Sequence, residues 1–162
     1  MVVSAGLPED AMSSYLVAGK IAAKVLSRLP AYIKPGASIL EVCEKIEDMI
    51  RNEGASPAFP CNLSINEVAA HYSPLAGDET RIPDGAIVKA DIGVHVDGYI
   101  ADTALTIDLS GEHQDLVNAA NEALQRVIST IHPGMRLRDI GRIIEKTMEY
   151  YGCKPIRNLS GH

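Results

Sequence analysis

The chain has 162 residues, of which 46% are hydrophobic and 22% are charged, and its formal net charge is −6. That length and a mean hydropathy of +0.03 are typical of one soluble globular domain with a single hydrophobic core. The acidic balance without basic clusters argues against DNA binding. No run approaches the roughly 20 apolar residues of a membrane span, which argues against insertion into a bilayer.

The N-terminus and the cysteines bear on location. Residues 1–10 have no basic start followed by an apolar core, so they do not resemble a secretion signal. The three cysteines, Cys43, Cys61 and Cys153, are odd in number and lack a paired spacing, which favours reduced thiols. We therefore predict a cytoplasmic protein.

Two helices around a Pro-Gly turn are predicted first in chain order. The first ends before Pro30, and the second opens with Ser38 and Glu41, typical of a capping box, and stops at Gly54. The predicted apolar stripes are Met12, Leu16, Ala23, Leu26 and Leu29 in the first helix, and Ile39, Val42, Ile46 and Ile50 in the second. Each helix is expected to bury that stripe against a core.

A β-hairpin is predicted between residues 86 and 109. The segment is rich in Val, Ile and Thr, and Asp97-Gly98 is a strong signal for a two-residue turn. With this turn Asp91 and Asp102 are diagonal neighbours across the two strands, and a turn shifted back by one residue puts them directly opposite. Either register keeps both aspartates on one face, with side chains about 5 to 8 Å apart.

Two carboxylates this close repel each other, so something has to offset the repulsion. Either one carboxyl remains protonated, as in an acid/base dyad, or a cation bridges the pair. A third interpretation has the aspartates at the solvated rim of the sheet, paired with Lys89 or Arg81. The apolar character of both strands argues against this third interpretation.

The helix pair recurs 98 residues further along the chain. Ile33-Lys-Pro-Gly36 aligns with Ile131-His-Pro-Gly134, and Gly54 aligns with Gly152. The apolar positions of the second copy are Leu116, Ala120, Leu124, Val127 and Ile131, followed by Leu137, Ile140, Ile144 and Met148. We predict an internal duplication.

The duplication predicts an α+β fold in which each helix pair covers its own part of an antiparallel sheet. The first repeat, 9–109, contains the hairpin, whereas the second begins near residue 113 and reaches residue 162 without a strand segment. We expect residues 1–162 to form a single domain that is incomplete in this chain. An edge strand and an apolar face should then be exposed and favour self-association.

Ordered sequence motifs run through nearly the whole chain. They are Phe59-Pro-Cys-Asn-Leu-Ser-Ile-Asn-Glu67, Ala69-Ala-His-Tyr-Ser-Pro74, Gly77-Asp78, Lys89-Ala-Asp-Ile-Gly93, Gly98-Tyr-Ile-Ala-Asp-Thr103 and Asn158-Leu-Ser-Gly-His162. Together they resemble a type II methionine aminopeptidase of the archaeal kind. The resemblance implies the duplicated pita-bread α/β fold, which agrees with the predicted repeat.

The resemblance also implies roles for five residues. Asp91, Asp102 and His162 match ligands of two divalent metal ions, with Co, Mn, Fe and Zn as the candidates. His71 matches a catalytic histidine that contacts the substrate, and Phe59 matches an aromatic wall of the pocket for the methionine side chain. The implied activity is removal of the initiator methionine from nascent peptides by a metal-bound hydroxide.

The chain also departs from this family. In the family, two further glutamate ligands and a substrate histidine lie beyond the position that His162 matches. Glu145 and Glu149 cannot replace those glutamates because both fall on a predicted helix. We therefore expect weak metal binding and little activity from the isolated chain. His95 shares the strand face of Asp91 and is a weaker candidate for the site.

Two alternative functions remain. A non-catalytic pita-bread module would bind ribosomes or nascent chains, but a scaffold has no use for three converging metal ligands. An X-Pro peptidase on the same fold is disfavoured because the sequence around His71 resembles the methionine enzymes. The expected partners are peptides with an N-terminal methionine, with the ribosome as a second candidate and neither DNA nor a membrane.

Overall fold

The computed structural model describes residues 6–159. Its helices are α1 (Glu9–Leu26), α2 (Ile39–Asn52), α3 (Gln114–Thr130) and α4 (Leu137–Tyr150), and its strands are β1 (Ser56–Pro57), β2 (Asn62–Ile65), β3 (Ile87–Val96) and β4 (Tyr99–Asp108). The chain divides into two compact units, Met1–Ser110 and Gly111–His162. Helices and an antiparallel sheet occur together, as the α+β prediction requires.

The first unit contains a four-stranded antiparallel sheet built around β3. Strand β4 pairs with one edge of β3 over ten residue pairs, and β1 and β2 share its other edge. Among residues 6–159 no strand pairs with the outer edge of β4. Strand β3 is therefore held on both sides, whereas β4 ends the described part of the sheet.

The core of the first unit lies between the sheet and the two helices. Alternate residues of β3 point into it, namely Val88, Ala90, Ile92 and Val94, and all four are buried. Leu105 and Ile107 of β4 pack partly buried against the same cluster. Because side chains alternate along a strand, the residues between these positions occupy the opposite face of the sheet.

Helix α1 does not bury the stripe that the sequence predicted. Met12 and Leu16 are 47% and 57% exposed, and Ala23 is also exposed; only Leu26 and Leu29 of the predicted stripe are at least partly buried. The buried face is Ala11, Ser14, Ala18, Ile21, Ala22 and Val25. Small residues let the helix lie close to β3 and β4, so helical spacing alone pointed to the wrong neighbouring face.

Helix α2 agrees with the prediction. The backbone N–H of Glu41 donates to the Ser38 hydroxyl at 3.4 Å, as expected for an N-cap. The predicted stripe, Ile39, Val42, Ile46 and Ile50, is buried. Gly54 ends the helix with a φ of 83°, a conformation that glycine adopts without the steric cost of a side chain.

The second unit is a pair of helices. Helix α4 begins and ends 98 positions after α2, and Gly134 and Gly152 have positive φ angles like Gly36 and Gly54. The helices meet through a small buried cluster, Ala119, Ala123 and Met148. Helix α4 and the glycines on either side of it therefore lie at the 98-residue spacing that the sequence indicated, whereas α3 begins later than a copy of α1 at that spacing would.

The predicted apolar stripe of the second unit is mostly exposed. Leu124 and Ile131 are 54% and 55% exposed, and Leu137 is 82% exposed. The described residues 111–159 contain no strand against which these helices pack within their own unit. The sequence identified apolar positions correctly, but their burial needs a covering layer that this unit does not contain.

No helix among residues 6–159 is long and apolar enough to cross a membrane.

Candidate metal centre

The hairpin between β3 and β4 closes through a two-residue turn. Asp97 and Gly98 have φ angles of 53° and 85°, and Val96 pairs directly with Tyr99. Two consecutive positive φ angles are what the tightest hairpin turn requires, and Asp-Gly is a preferred pair for it. The turn therefore has the first of the two registers considered from the sequence.

This register makes Asp91 and Asp102 diagonal neighbours on one face of the sheet. Asp91 pairs with Ala104, and Asp102 pairs with Gly93, two residues further along β3. The apolar residues of both strands alternate onto the helix side, so the aspartates lie on the opposite face, Asp91 half-buried and Asp102 exposed. The expectation that strands this apolar exclude solvent-exposed aspartates is therefore wrong for Asp102, because the apolar side chains alternate onto the other face of the sheet.

Arg81 does not serve as a counter-ion in the way that the solvated-rim interpretation assumed. Its guanidinium donates to the carbonyl of Gly36 at 2.9 Å, and its backbone bridges to Ser38. These contacts hold Arg81 at the turn before α2.

Asn62 of β2 joins the same face, which the sequence did not reveal. It pairs directly with Asp91 across the strands, and its side-chain oxygen accepts a hydrogen bond from the Ser73 hydroxyl at 3.0 Å. Asn62 therefore connects the strand beside Asp91 to the loop between β2 and β3.

Phe59 lies on this face directly over Gly93. A Cβ added to Gly93 would be 2.4 Å from Cε1 of the Phe59 ring and 2.9 Å from the Cβ of Ala58. The backbone N–H of Ala58 donates to the Gly93 carbonyl at 2.9 Å, which fixes this approach. The ring is half-buried and stands beside the position that Asp102 faces, rather than in the core as an isolated phenylalanine would suggest.

The segment after Phe59 is anchored to α2. The backbone N–H of Cys61 donates to Glu47 Oε1 at 3.1 Å. The thiol of Cys61 is buried, and its hydrogen bond with Cys43, together with burial, raises its pKa above the ordinary range. The three cysteines carry free thiols, as predicted.

His71 lies exposed in the loop between β2 and β3, with a φ of 63°. The backbone carbonyl of its neighbour Tyr72 accepts a hydrogen bond from the Leu63 N–H at 2.8 Å, and the Tyr72 hydroxyl donates to Asp78 Oδ2 at 2.7 Å. Hydrogen bonds from Thr80 and then Tyr72 lower the pKa of Asp78. The residues around His71 are thereby tied to β2 and to the far side of the loop, which fixes the unusual backbone conformation.

The remaining predicted residues fall in different places. His95 shares the face of Asp91, and its Nδ1 accepts a hydrogen bond from the Gly98 N–H at 3.3 Å. Glu145 and Glu149 lie exposed on α4 in the second unit, consistent with their exclusion as ligands. His162 lies outside the described residues.

The described residues offer two neighbouring carboxylates but no complete metal-binding group. Within 6–159 no group of three or more His, Cys, Asp or Glu side chains is arranged to hold a metal ion. Asp91 and Asp102 nevertheless offer two carboxylates on one face at diagonal positions, and such oxygen ligands suit divalent cations. These two residues fit a divalent metal as a partial ligand set.

The chain is similar to a known family and to two curated proteins from archaea. Residues 14–162 match the sequence profile of Metallopeptidase family M24. The methionine aminopeptidase of Saccharolobus solfataricus is 48% identical over 156 residues, which are 96% of this chain and 52% of that protein. The methionine aminopeptidase of Methanocaldococcus jannaschii is 54% identical over 145 residues, which are 90% of this chain and 49% of that protein.

A solved structure extends the similarity to the fold. The methionine aminopeptidase of Thermotoga maritima superposes with a TM-score of 0.87 at 29% identity, over 97% of this chain and 66% of that one. This confirms the predicted pita-bread architecture, of which the chain covers a part. The chain spans about half the length of the curated relatives it matches.

Proposed function

Because the chain belongs to Metallopeptidase family M24, we propose that it is the part of a methionine aminopeptidase that carries the two aspartate ligands and one wall of the substrate pocket. The reaction is removal of an N-terminal methionine from a peptide. Two relatives named methionine aminopeptidase, which are 48% and 54% identical to the matched region, support the assignment. The activity belongs to a protein about twice as long as the matched region, so it remains a proposal for this chain.

The arrangement of Asp91 and Asp102 is the observation that carries this proposal. Both carboxylates stand on the sheet face away from the helices, at diagonal positions fixed by the two-residue turn. With His162 as a third ligand, they would hold a pair of divalent ions. When bound, such ions supply an activated water and a Lewis acid for the scissile carbonyl.

Phe59 and His71 are proposed as substrate contacts. The half-buried ring of Phe59 lies beside the position that Asp102 faces, where an apolar methionine side chain would pack. His71 projects from the loop tied to β2, and its imidazole would donate a hydrogen bond to the carbonyl oxygen as charge develops there. Their roles are to orient the peptide and to stabilise the transition state.

The isolated chain is proposed to bind metal weakly and to cleave slowly. Two carboxylates and one histidine supply fewer protein ligands than two divalent ions take up in oxygen and nitrogen sites. A ribosome-binding scaffold is the alternative function, but the converging aspartates favour a metallopeptidase. A cytoplasmic location remains a prediction.

Isothermal titration with Mn²⁺ tests the proposal on this chain. Asp102→Asn should lose the heat of binding and any cleavage of a Met-Ala-Ser peptide, because it removes one of the two carboxylate charges. The matched control is Asp84→Asn, which makes the same change at an exposed turn before β3. Mn²⁺ binding by Asp102→Asn as strong as that of the unaltered chain would contradict the assignment.

A further inference from the structure

Gly93 lies within β3 at the point where the Phe59 ring lies against the strand. Glycine weakens a strand interior because it has no side chain to pack, so its presence there marks a close approach by another group. Here the group is the ring: a Cβ at Gly93 would be 2.4 Å from Cε1 and 2.6 Å from Cδ1 of Phe59. Both distances are about 1 Å or more short of the optimal separation of 3.5 to 4.0 Å between carbons.

The space that Gly93 leaves open for the ring, here called the slot, adjoins the two aspartates of the proposed site. Gly93 pairs directly with Asp102 on β4, and Asp91 is the next residue of β3 on the same face. The ring therefore lies over the strand position that separates the two aspartates, and the absence of a side chain at Gly93 determines how close to the sheet it lies. An aromatic surface at a fixed height limits the length of the side chain that packs against it, so an apolar pocket can distinguish substrates that differ in size.

We propose that Gly93 is a specificity-determining residue: its lack of a side chain creates the slot for the Phe59 ring and so sets the depth of the pocket for the substrate's first side chain. This inference rests on the proposed aminopeptidase function. Any side chain at position 93 lifts the ring away from β3 into the space above Asp91 and Asp102. A long, apolar side chain then loses its contact surface, whereas a short one is little affected.

The position of the ring can be followed directly because Phe59 is the only phenylalanine in the chain. Incorporation of 4-fluorophenylalanine gives a single ¹⁹F signal from this residue. Its chemical shift reports the ring's surroundings, its broadening by Mn²⁺ reports proximity to a bound cation, and its shift on titration reports occupancy by L-methionine or L-alanine. None of these measurements requires turnover.

The test compares Gly93→Ala with Gly19→Ala. Gly19 lies in α1 of the same unit, has no positive φ, and has open space where its Cβ would be, so this control adds the same methyl group without a contact. We expect Gly93→Ala to move the ¹⁹F signal and to weaken the response to L-methionine about tenfold. The response to L-alanine should stay unchanged, and Gly19→Ala should behave like the unaltered chain.

A second pair of variants covers the case in which Gly93→Ala unfolds. Phe59→Ala removes the ring, so the loss of thermal stability caused by Gly93→Ala should be smaller in the Phe59→Ala background than in the parent. The loss should not vanish, because the Cβ of Ala58 also lies 2.9 Å from the added methyl. An equal loss in both backgrounds would show that the ring does not occupy the slot and would overturn the inference.

The possible results separate this inference from the function on which it rests. If the parent signal responds to Mn²⁺ and L-methionine and Gly93→Ala discriminates between L-methionine and L-alanine as the parent does, Gly93 does not determine specificity and the aminopeptidase proposal is unaffected. If the parent signal responds to neither probe, the proposed site fails and the inference fails with it. If Gly93→Ala loses the preference for L-methionine while Gly19→Ala keeps it, the result supports both the role of Gly93 and the aminopeptidase proposal.

Discussion

Asn62 on β2 and Asp91 on β3 are direct cross-strand partners on the face that carries the proposed metal ligands. Asn62 is also the acceptor for the Ser73 hydroxyl in the loop that holds His71. One uncharged side chain therefore separates a carboxylate on the sheet from the loop with the proposed catalytic histidine.

Asn62→Asp should make the chain more dependent on a divalent cation. The substitution keeps the shape and the acceptor for Ser73 but places a second carboxylate opposite Asp91, and like charges directly opposite each other destabilise a sheet by about 0.2–1 kcal/mol. Thermal unfolding should show a lower midpoint without metal and a larger gain on adding Mn²⁺. Asn118→Asp on the exposed surface of α3 makes the same charge change and should show neither effect. If the stability of the Asn62→Asp chain responds to Mn²⁺ no more than that of its parent, the result argues against a cation at this face.

Ile39 and Leu137 occupy equivalent positions of the two repeats, yet one is 0% and the other 82% exposed. Ile39→Ala should lower the free energy of unfolding by about 2–5 kcal/mol because it leaves a cavity in the core. Leu137→Ala should stay within about 0.5 kcal/mol of the parent, as surface substitutions usually do. Denaturant unfolding monitored by circular dichroism measures both, and comparable losses would mean that Leu137 is covered in solution.

Self-association should follow from the apolar surface of the second unit. Leu124 is 54% exposed, and it lines a groove of about 300 Å³ together with Ala120, Ala123, Val127, Ile144, Met148 and Pro155. Size-exclusion chromatography should give a dimer or a larger species, because contiguous exposed apolar surface favours association. Leu124→Lys should shift the equilibrium to the monomer, whereas Gln125→Lys, with the same added charge on an exposed neighbour, should not. A parent chain that elutes only as a monomer would refute this expectation.

Cys61 should make the chain less stable in alkaline solution. The hydrogen bond with Cys43 and burial raise the pKa of Cys61 in the folded state, whereas in the unfolded state it lies near the usual value of about 8.5. Its contribution is fully present below that value; as the pH rises further the unfolded chain loses a proton that the folded chain keeps, so stability falls.

Cys61→Ala removes this contribution, so the fall in unfolding free energy between about pH 8 and 10 should be shallower than in the parent. Measurements under reducing conditions with Cys153→Ala as the control isolate the effect, because Cys153 is a half-buried thiol of the second unit. Parallel pH profiles for the parent and Cys61→Ala would contradict it.

The elements that the sequence predicted best are those specified by neighbouring residues. The cap of α2 depends on Ser38 and Glu41, three residues apart, and the hairpin turn depends on Asp97 and Gly98 alone. The buried face of α1 was predicted wrongly because apolar residues occupy two adjacent faces of that helix. Only the close packing against the sheet selects the face with smaller side chains.

The candidate site likewise contains features that neighbouring residues specify and features that depend on contacts between distant parts of the chain. The diagonal relation of Asp91 and Asp102 was predictable, since the hairpin that joins them is local. The places of Asn62 and of Phe59 over Gly93 depend on strand pairing across the long loop between β2 and β3, which spacing does not encode. A glycine within a strand rich in Ile and Val was the one signal in the sequence that another group would approach the strand closely there.

The two-residue turn of the hairpin also sets the order in which the proposed site can assemble. Closing so short a loop has a small entropic cost, and hairpins form in about 1–10 μs, far faster than a ribosome adds one residue. Asp91 and Asp102 therefore face the same way as soon as β4 has been synthesised and has room to fold, before α3 and α4 exist. We expect the two carboxylates to be the first ligands of the proposed metal centre to reach their positions during translation, before any ligand that follows them in the sequence.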